Sequence, residues 1–260
     1  TEHGTVTVII ESMPLEITTY RIDGQYADNR RPEQVVFTND ISKDLSRRDF
    51  TMNALAYNDS TGIVDLFGGV DDIRKGEIRC VGDPDDRFTE DALRIMRALR
   101  FASVLDFKIE SHTADSIHRN KHLLKNISVE RFQKELNGLL MGEAVERILN
   151  EYRDVIAVII PEITPMFDFD QRTKYHNLDI WRHTAKSVGE SKKELEVRLT
   201  MLFHDIGKPS SFSVDEQGVG HFYGHGKEST ILTKRILKRL KYPTRTTEYI
   251  SKLVRYHDAQ

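Results

Sequence analysis

The spacing of apolar residues changes character along the chain, and each change marks an element. Residues 5–10 and 15–21 are rich in β-branched side chains and are joined by Glu11-Ser-Met-Pro14, which predicts a hairpin. Arg21–Arg31 is polar and contains a glycine, which predicts a loop, with Val35–Phe37 a short strand beyond it. From Asp44 the period lengthens. Phe50, Ala54 and Tyr57 recur at i, i+4 and i+7, the stripe of an amphipathic helix whose opposite face carries Asp49 and Asn53. Residues 58–62 break that helix, and the apolar segment 63–69 ends in a Gly-Gly turn. From Thr89 the pattern is helical almost throughout. Thr89 is placed to cap a helix opening on Glu90 and Asp91, and further helices are expected at 111–119, 128–141 (with Ser128 as cap) and 143–158. Pro161 and Pro165 punctuate the chain, Met166–Asp170 reads as a linker, and a second helical block runs from Leu178 to the end. The expected fold class is α+β, predominantly helical: a β-containing remnant over 1–60, a connector and helical neck over 61–165, and an all-α module over 166–260.

Composition adds a few exclusions. The 260 residues carry 38 Lys+Arg against 41 Asp+Glu and one Cys, so a disulfide framework is excluded and a reducing, cytoplasmic compartment fits. No apolar run approaches the ~18 residues of a membrane span, and no signal peptide opens the chain. The net charge of −3 argues against a basic coat, yet it hides a local imbalance: residues 227–255 hold nine Lys/Arg against two Asp/Glu, and Lys234, Arg235, Lys238 and Arg239 form one helix face suited to an RNA backbone or simply to water. The first residue is Thr1, a strand pattern is already under way at Thr5, and the last residue follows closely on His257-Asp258, so both ends read as cut from a longer protein.

Two constellations carry chemistry. In the first, Arg48 offers a fork for phosphate, and Asp49 with Asn53 offers an acid and an amide for a sugar diol; local ion pairing at a helix start is the plain alternative. Further on, Asp91, Arg94, Arg97 and Arg100 recur every three positions beside an apolar ridge of Leu93, Met96 and Leu99. Three guanidinium groups at that spacing repel one another unless an anion or carboxylates cover them, and Asp91 with Arg94 presents acceptors and donors as reading a base edge requires. In the second, His183, the adjacent His204-Asp205, His225 in Gly-His-Gly, and Asp258 make a nitrogen and oxygen donor set for a divalent transition metal, with His221 and His257 weaker candidates.

Four segments occur in order: Arg47-Arg-Asp-Phe-Thr-Met-Asn-Ala54, Asp65-Leu-Phe-Gly-Gly-Val-Asp-Asp-Ile73, Glu90-Asp-Ala-Leu-Arg94, and Ser128-Val-Glu-Arg-Phe-Gln-Lys-Glu-Leu136. Together they resemble the successive motifs of the class II tRNA nucleotidyltransferase (CCA-adding) and poly(A) polymerase family. The His…His-Asp…Asp set resembles the HD phosphohydrolase superfamily, implying His183, His204, Asp205 and Asp258 as metal ligands and His225 as an extra ligand or phosphate contact. The first resemblance implies a nucleotidyltransferase head, a helical neck and template-independent addition of C and A to the tRNA 3′ end from CTP and ATP. It places Arg48 and Asp49 on triphosphate and ribose, Asp91 and Arg94 on the incoming base, and Arg97 and Arg100 along the nucleotide pocket. It also implies Mg²⁺ on an Asp-x-Asp pair ahead of the hairpin, where this chain has none, with Glu16 a third acidic position. A poly(A) polymerase, a phosphohydrolase on an RNA-binding scaffold, and a non-catalytic RNA-binding module are the alternatives. Oligomeric state is not indicated.

Overall fold

The computed structural model describes residues 5–24, 35–172 and 178–258. The fold is α+β and predominantly helical, and the chain separates into two compact units, Thr1–Arg94 with Lys108–Asn126, and Ile95–Phe107 with Ile127–Gln260.

The first unit opens on a hairpin of β1 (Thr5–Ile10) and β2 (Met13–Thr18), paired from Thr5↔Thr18 to Ile10↔Met13. Its turn is shorter than the expected Glu11–Pro14. Glu11 and Ser12 both take positive φ, the two-residue geometry that matches strand twist, so Pro14 lies inside β2 opposite Ile9. Part of the expected Arg21–Arg31 loop is instead β3 (Arg21–Asp23), paired with β4 (Val35–Phe37); the remainder from residue 25 lies outside the described residues.

The largest departure lies at 44–57. The helix α1 (Ile41–Ser46), capped by Asp40, ends before Phe50, which is extended and bridges Cys80. One 3₁₀ turn over Thr51–Asn53 follows, then a hairpin of β5 (Leu55–Asn58) and β6 (Gly62–Asp65). Phe50 and Ala54 are buried as the stripe required, but Tyr57 is exposed, because both periods satisfy so short a run and tertiary packing decides. The core here gathers Leu45, Ala54 and Val81, flanked by Ile41, Val64 and Phe67.

Next come α2 (Gly69–Lys75), β7 (Glu77–Ile78) and α3 (Pro84–Glu90). The expected helix start at Thr89 is therefore displaced. Asp83 caps α3 through Asp85 N at 2.8 Å, and the chain breaks at Asp91 before α4 (Leu93–Leu105), which leads into the second unit. The strand β8 (Lys108–Ile109) pairs parallel with β7, and α5 (Ser111–Asn120) is capped by the Glu110 carboxylate on His112 N and Thr113 N, each at 3.0 Å.

The second unit is a helical assembly of α4, α6 (Val129–Leu140), α7 (Val145–Glu151), α8 (Arg153–Ile156), α9 (Ile180–Glu190) and α10 (Leu195–Phe203). A two-residue pair of β9 (Ser213–Val214) and β10 (Gly220–His221) precedes α11 (His225–Arg239) and α12 (Thr244–Arg255). The helix expected over 143–158 is broken at Tyr152 into α7 and α8. Met96 and Leu99 of the apolar ridge are fully buried, as is Trp181, whose Nε1 donates to Leu149 O at 3.1 Å. Arg198, also buried, donates to the carbonyls of Leu140 and Gly142 and so satisfies the end of α6.

One glycine in the first unit is fixed by contact. A Cβ on Gly69 would lie 2.2 Å from Thr51 O, where α2 meets the 3₁₀ turn and Thr51 Oγ1 donates to buried Asp72 at 2.7 Å. Gly69→Ala should lower stability by about 1–3 kcal/mol, read as a drop in the thermal midpoint. An unchanged midpoint would contradict that close approach.

Candidate functional site

In the second unit four helices bring imidazoles onto one carboxylate. His183 comes from α9, His204 and Asp205 follow α10, His225 opens α11, and His257 sits in the turn after α12. Their meeting depends on Gly207. Its N donates to Ser229 Oγ at 2.9 Å, and a Cβ there would stand 2.4 Å from Ser229 N, so only glycine lets the end of α10 approach α11 this closely.

Asp205 is 1% exposed, and its two oxygens divide the imidazoles between them. His204 Nε2 and His183 Nε2 lie 3.2 and 3.7 Å from Oδ2; His257 Nε2 and His225 Nε2 lie 3.5 and 3.6 Å from Oδ1. The pairs themselves are close, with Nε2···Nε2 distances of 3.4 Å for His183/His204 and 3.3 Å for His225/His257. Lys208 Nζ stands 2.8 Å from Oδ2, over the Phe222 ring. Although these contacts are ionic in distance, neither Asp205 oxygen is aligned for a hydrogen bond among the described residues.

The tautomers follow from the carbonyls behind the rings. Nδ1 of His204 faces Met201 O at 2.7 Å, Nδ1 of His225 faces Phe222 O at 2.9 Å, and Nδ1 of His257 faces Val254 O at 2.8 Å. A carbonyl only accepts, so each Nδ1 carries the proton and each neutral ring turns a bare Nε2 lone pair inward. Two such lone pairs 3.3 Å apart repel unless a cation lies between them, and two nitrogens bound tetrahedrally at ~2.0–2.1 Å to one ion would stand about 3.3 Å apart. Orphaned carboxylate oxygens, fixed imidazole tautomers and that spacing all fit a divalent transition metal. Burial alone would raise the Asp205 carboxyl, but His204, His257 and Lys208 hold it well below the usual range. Burial likewise works against protonating His257, and its contacts with Asp205, Val254 O and Asp258 outweigh it and raise it above 6.5.

Among the expected ligands, His183, His204 and Asp205 meet as one group, and Asp205, His225 and His257 as another. Asp258 is largely exposed beside the second group, with oxygens 3.1 Å from His225 Nε2 and 3.4 Å from His257 Nε2. His221 is engaged elsewhere, with Asp215 at 2.8 Å. Sequence reasoning ranked His257 low and did not single out Lys208. The signal for His257 was its place directly before Asp258.

The other constellation divides between the units. Arg48 donates to Asp44 Oδ2 at 3.2 Å and to Asn53 O at 3.3 Å, and Asp49 Oδ1 accepts from Asn53 Nδ2 at 3.0 Å. The Asp49–Asn53 pair forms across the 3₁₀ turn rather than on an α-helical face. Asp44, buried and not singled out in the sequence, gathers both Arg47 and Arg48; its i, i+4 spacing to Arg48 was the available clue. Arg94 is 8% exposed, donating to Glu90 at 2.7 Å and to Arg47 O at 2.9 Å, while Asp91 Oδ1 accepts from Leu93 N at 3.1 Å. Arg97 and Arg100 belong to the second unit. Both lie over Phe101, and Arg100 Nε pairs with Glu135 at 2.6 Å. Glu16 is exposed on β2 opposite Thr7.

Residues 1–79 match the family described as poly A polymerase head domain, 106–167 the probable RNA and SrmB-binding site of polymerase A, and 175–259 the HD domain. The chain is 49% identical over 153 residues to a CCA-adding enzyme of Ligilactobacillus salivarius, covering 59% of this chain and 38% of that protein. With the CCA-adding enzyme of Levilactobacillus brevis it shares 39% over 226 residues, 87% of this chain and 53% of that one. Thus it spans about half the length, or less, of these curated relatives. A crystal structure of the Bacillus stearothermophilus CCA-adding enzyme in complex with CTP superposes with a TM-score of 0.70 at 29% identity, covering 99% of this chain and 55% of that one.

While the His257 ring is protonated, metal binding at the imidazole cluster requires its second proton, on Nε2, to leave. Mn²⁺ titrated calorimetrically between about pH 5 and 8 should release protons and bind more tightly as pH rises, with a midpoint above the ordinary histidine value. His257→Ala should move that midpoint down. Affinity independent of pH across the range would contradict the assignment.

Proposed function

From the matches to the polymerase head, RNA-binding and HD models, we propose that the chain belongs to the tRNA nucleotidyltransferase and poly(A) polymerase family and is the nucleotide-reading portion of an enzyme that adds C and A to the tRNA 3′ end, joined to a metal-dependent phosphohydrolase module. The observation that carries the first activity is the 2.9 Å bond from Arg94 to Arg47 O, which links two motifs 47 residues apart in sequence. It sets the base-reading pair Asp91/Arg94 against the Arg48/Asp49 motif that would take triphosphate and ribose. Asn53 steadies Asp49, and Asp44 steadies Arg48. The family resemblance also assigns Arg97 and Arg100, in the second unit, to the nucleotide, and Glu16 as an acidic position beside the Mg²⁺ that would activate the 3′-hydroxyl. CTP, ATP and the tRNA 3′ end are the substrates, and a cytoplasmic setting suits them; among the described residues no helix is long and apolar enough to cross a membrane.

For the second module the ligand set is His183 and His204 on one side of Asp205, and His225 and His257 on the other, with Asp258 at the rim. Divalent ions held there, one by each imidazole pair together with Asp205, would supply a water acidified towards pKa ~7 for attack on a phosphate ester. Asp205 would serve both pairs, the four carbonyl-held or carboxylate-facing rings would fix the donor directions, and Lys208 would offer a buried cation to a phosphate oxygen.

The test uses the longer protein that carries this chain, with tRNA lacking its 3′ end and labelled CTP and ATP. Incorporation of both nucleotides is expected; an A-only tail would favour a poly(A) polymerase, and no product would remove the proposal. Arg94→Ala should cut discrimination between correct and incorrect bases by about tenfold while leaving the tRNA bound. His204→Ala should spare addition and abolish phosphate-ester hydrolysis in Ni²⁺, Co²⁺ or Mn²⁺. Equal loss of both activities would contradict the separation of the two sites.

A further inference from the structure

The contacts that fix Arg94 run through Arg87 of α3, a residue outside the proposed nucleotide-binding set. The Arg87 side chain is largely buried and spends its guanidinium in two directions. Nη1 donates to Ser46 O at 3.1 Å, and Nη2 donates to Glu90 Oε1. Arg94 takes the other oxygen of the same carboxylate: its Nη1 donates to Glu90 Oε2 at 2.7 Å, while its Nη2 donates to Arg47 O. Two guanidinium groups therefore close the open carbonyl end of α1, one on Ser46 and one on Arg47, and share a single acid between them. Arg87 O also accepts from Arg94 Nη1, at 3.3 Å.

The placement of Arg87 is costly, because its Nε is buried without an acceptor among the described residues. What Arg87 changes is the geometry of Glu90. A carboxylate beside a single arginine favours the two-pronged pairing, in which each oxygen takes an N–H. Held by Arg87 at Oε1, Glu90 meets Arg94 through Oε2 alone. Three of the five N–H donors of Arg94 are thus spent, on Glu90, Arg87 O and Arg47 O. Nε–H and one proton of Nη2 are left for a ligand, and donors of that kind are what reading a base edge requires. The Arg94 side chain is only 10% exposed, so water screens the competition between the carboxylate and a nucleobase weakly.

We propose that Arg87 is a positioning residue that determines base specificity: it restrains Glu90 to a single contact with Arg94 and so keeps the base-reading donors of Arg94 open. Without it, Glu90 closes on Arg94 in the two-pronged geometry and competes with the incoming base. The inference rests on the reading of Asp91 and Arg94 as the base-contacting pair, and it adds to that pair a residue that acts through another.

The experiment uses the longer protein that carries this chain, with tRNA lacking its 3′ end, and measures the ratio of kcat/KM for CTP to that for UTP. Arg87→Gln should lower the ratio about tenfold, chiefly through a raised KM for CTP. Arg87→Lys, which keeps a cation on Glu90, should stay within about threefold of the parent, and it carries the test should the glutamine variant not fold. The decisive comparison is made in a Glu90→Gln background, where the side-chain amide has one acceptor oxygen and cannot take Arg94 with both prongs. There Arg87→Gln should change the ratio less than about twofold. If Arg87 serves only to hold the end of α1 through Ser46 O, the substitution costs the same in both backgrounds. That result, an Arg87→Gln ratio within twofold of the parent, or a lysine variant ten times poorer than the parent would overturn the inference. Arg94→Ala separates the two readings. An unchanged ratio there removes the base-reading assignment and the inference with it, whereas a loss in Arg94→Ala without one in Arg87→Gln removes only the inference.

Discussion

The arrangement of the second unit turns on a buried negative charge. A carboxylate as enclosed as Asp205 is costly unless cations or a metal answer it, and no hydrogen bond of good geometry does so among the described residues. What surrounds it instead is a cage from four helices, two imidazoles per oxygen, with one ammonium at 2.8 Å. That cage explains otherwise separate features. Gly207 must lack a side chain for α10 and α11 to meet, and the three backbone carbonyls behind His204, His225 and His257 fix which nitrogen faces inward. A proton shared among the rings and a bound cation are competing answers to the same charge, which is why metal affinity and pH are coupled here.

The first unit solves a different problem, holding guanidinium groups in place before any anion arrives. Arg48 is tied to Asp44 and Asn53 O, and Arg94 to Glu90 and Arg47 O. Arginines anchored in this way lose less freedom when a ligand binds, and their remaining donors point in set directions. Arg94 thus turns inward to carbonyls; in the second unit, Arg100 is neutralised by Glu135 and stacked on Phe101.

Much of this was legible in the residues, and the failures have physical causes. Helices with a strong stripe, such as α5 and α6, fell where the periodicity put them, although Ser128, the expected cap, makes no side-chain capping hydrogen bond to α6. The segment 44–57 did not, since Phe50, Ala54 and Tyr57 fit a helical stripe and a bridge-turn-strand equally well, and the partner Cys80 lies thirty residues away. Asp49 and Asn53 still meet, through a 3₁₀ turn rather than an α-helical face. At the imidazole cluster, adjacency in His204-Asp205 carried the signal. His257 and Lys208 were hidden because their value lies in convergence with elements distant in sequence, which spacing alone does not encode. Asp44 was obscured in the same way, since its role shows only in its burial and in the two arginines it gathers.

The bridging position of Asp205 is most directly tested by metal content. The full chain, gently purified and reloaded with Mn²⁺, should hold two ions per chain by elemental analysis. A variant lacking both His225 and His257 imidazoles should hold about one, and Asp205→Asn should hold almost none. Less than a tenth of an equivalent in the parent, or one ion that is indifferent to loss of the His225/His257 pair, would contradict a carboxylate shared between two imidazole pairs.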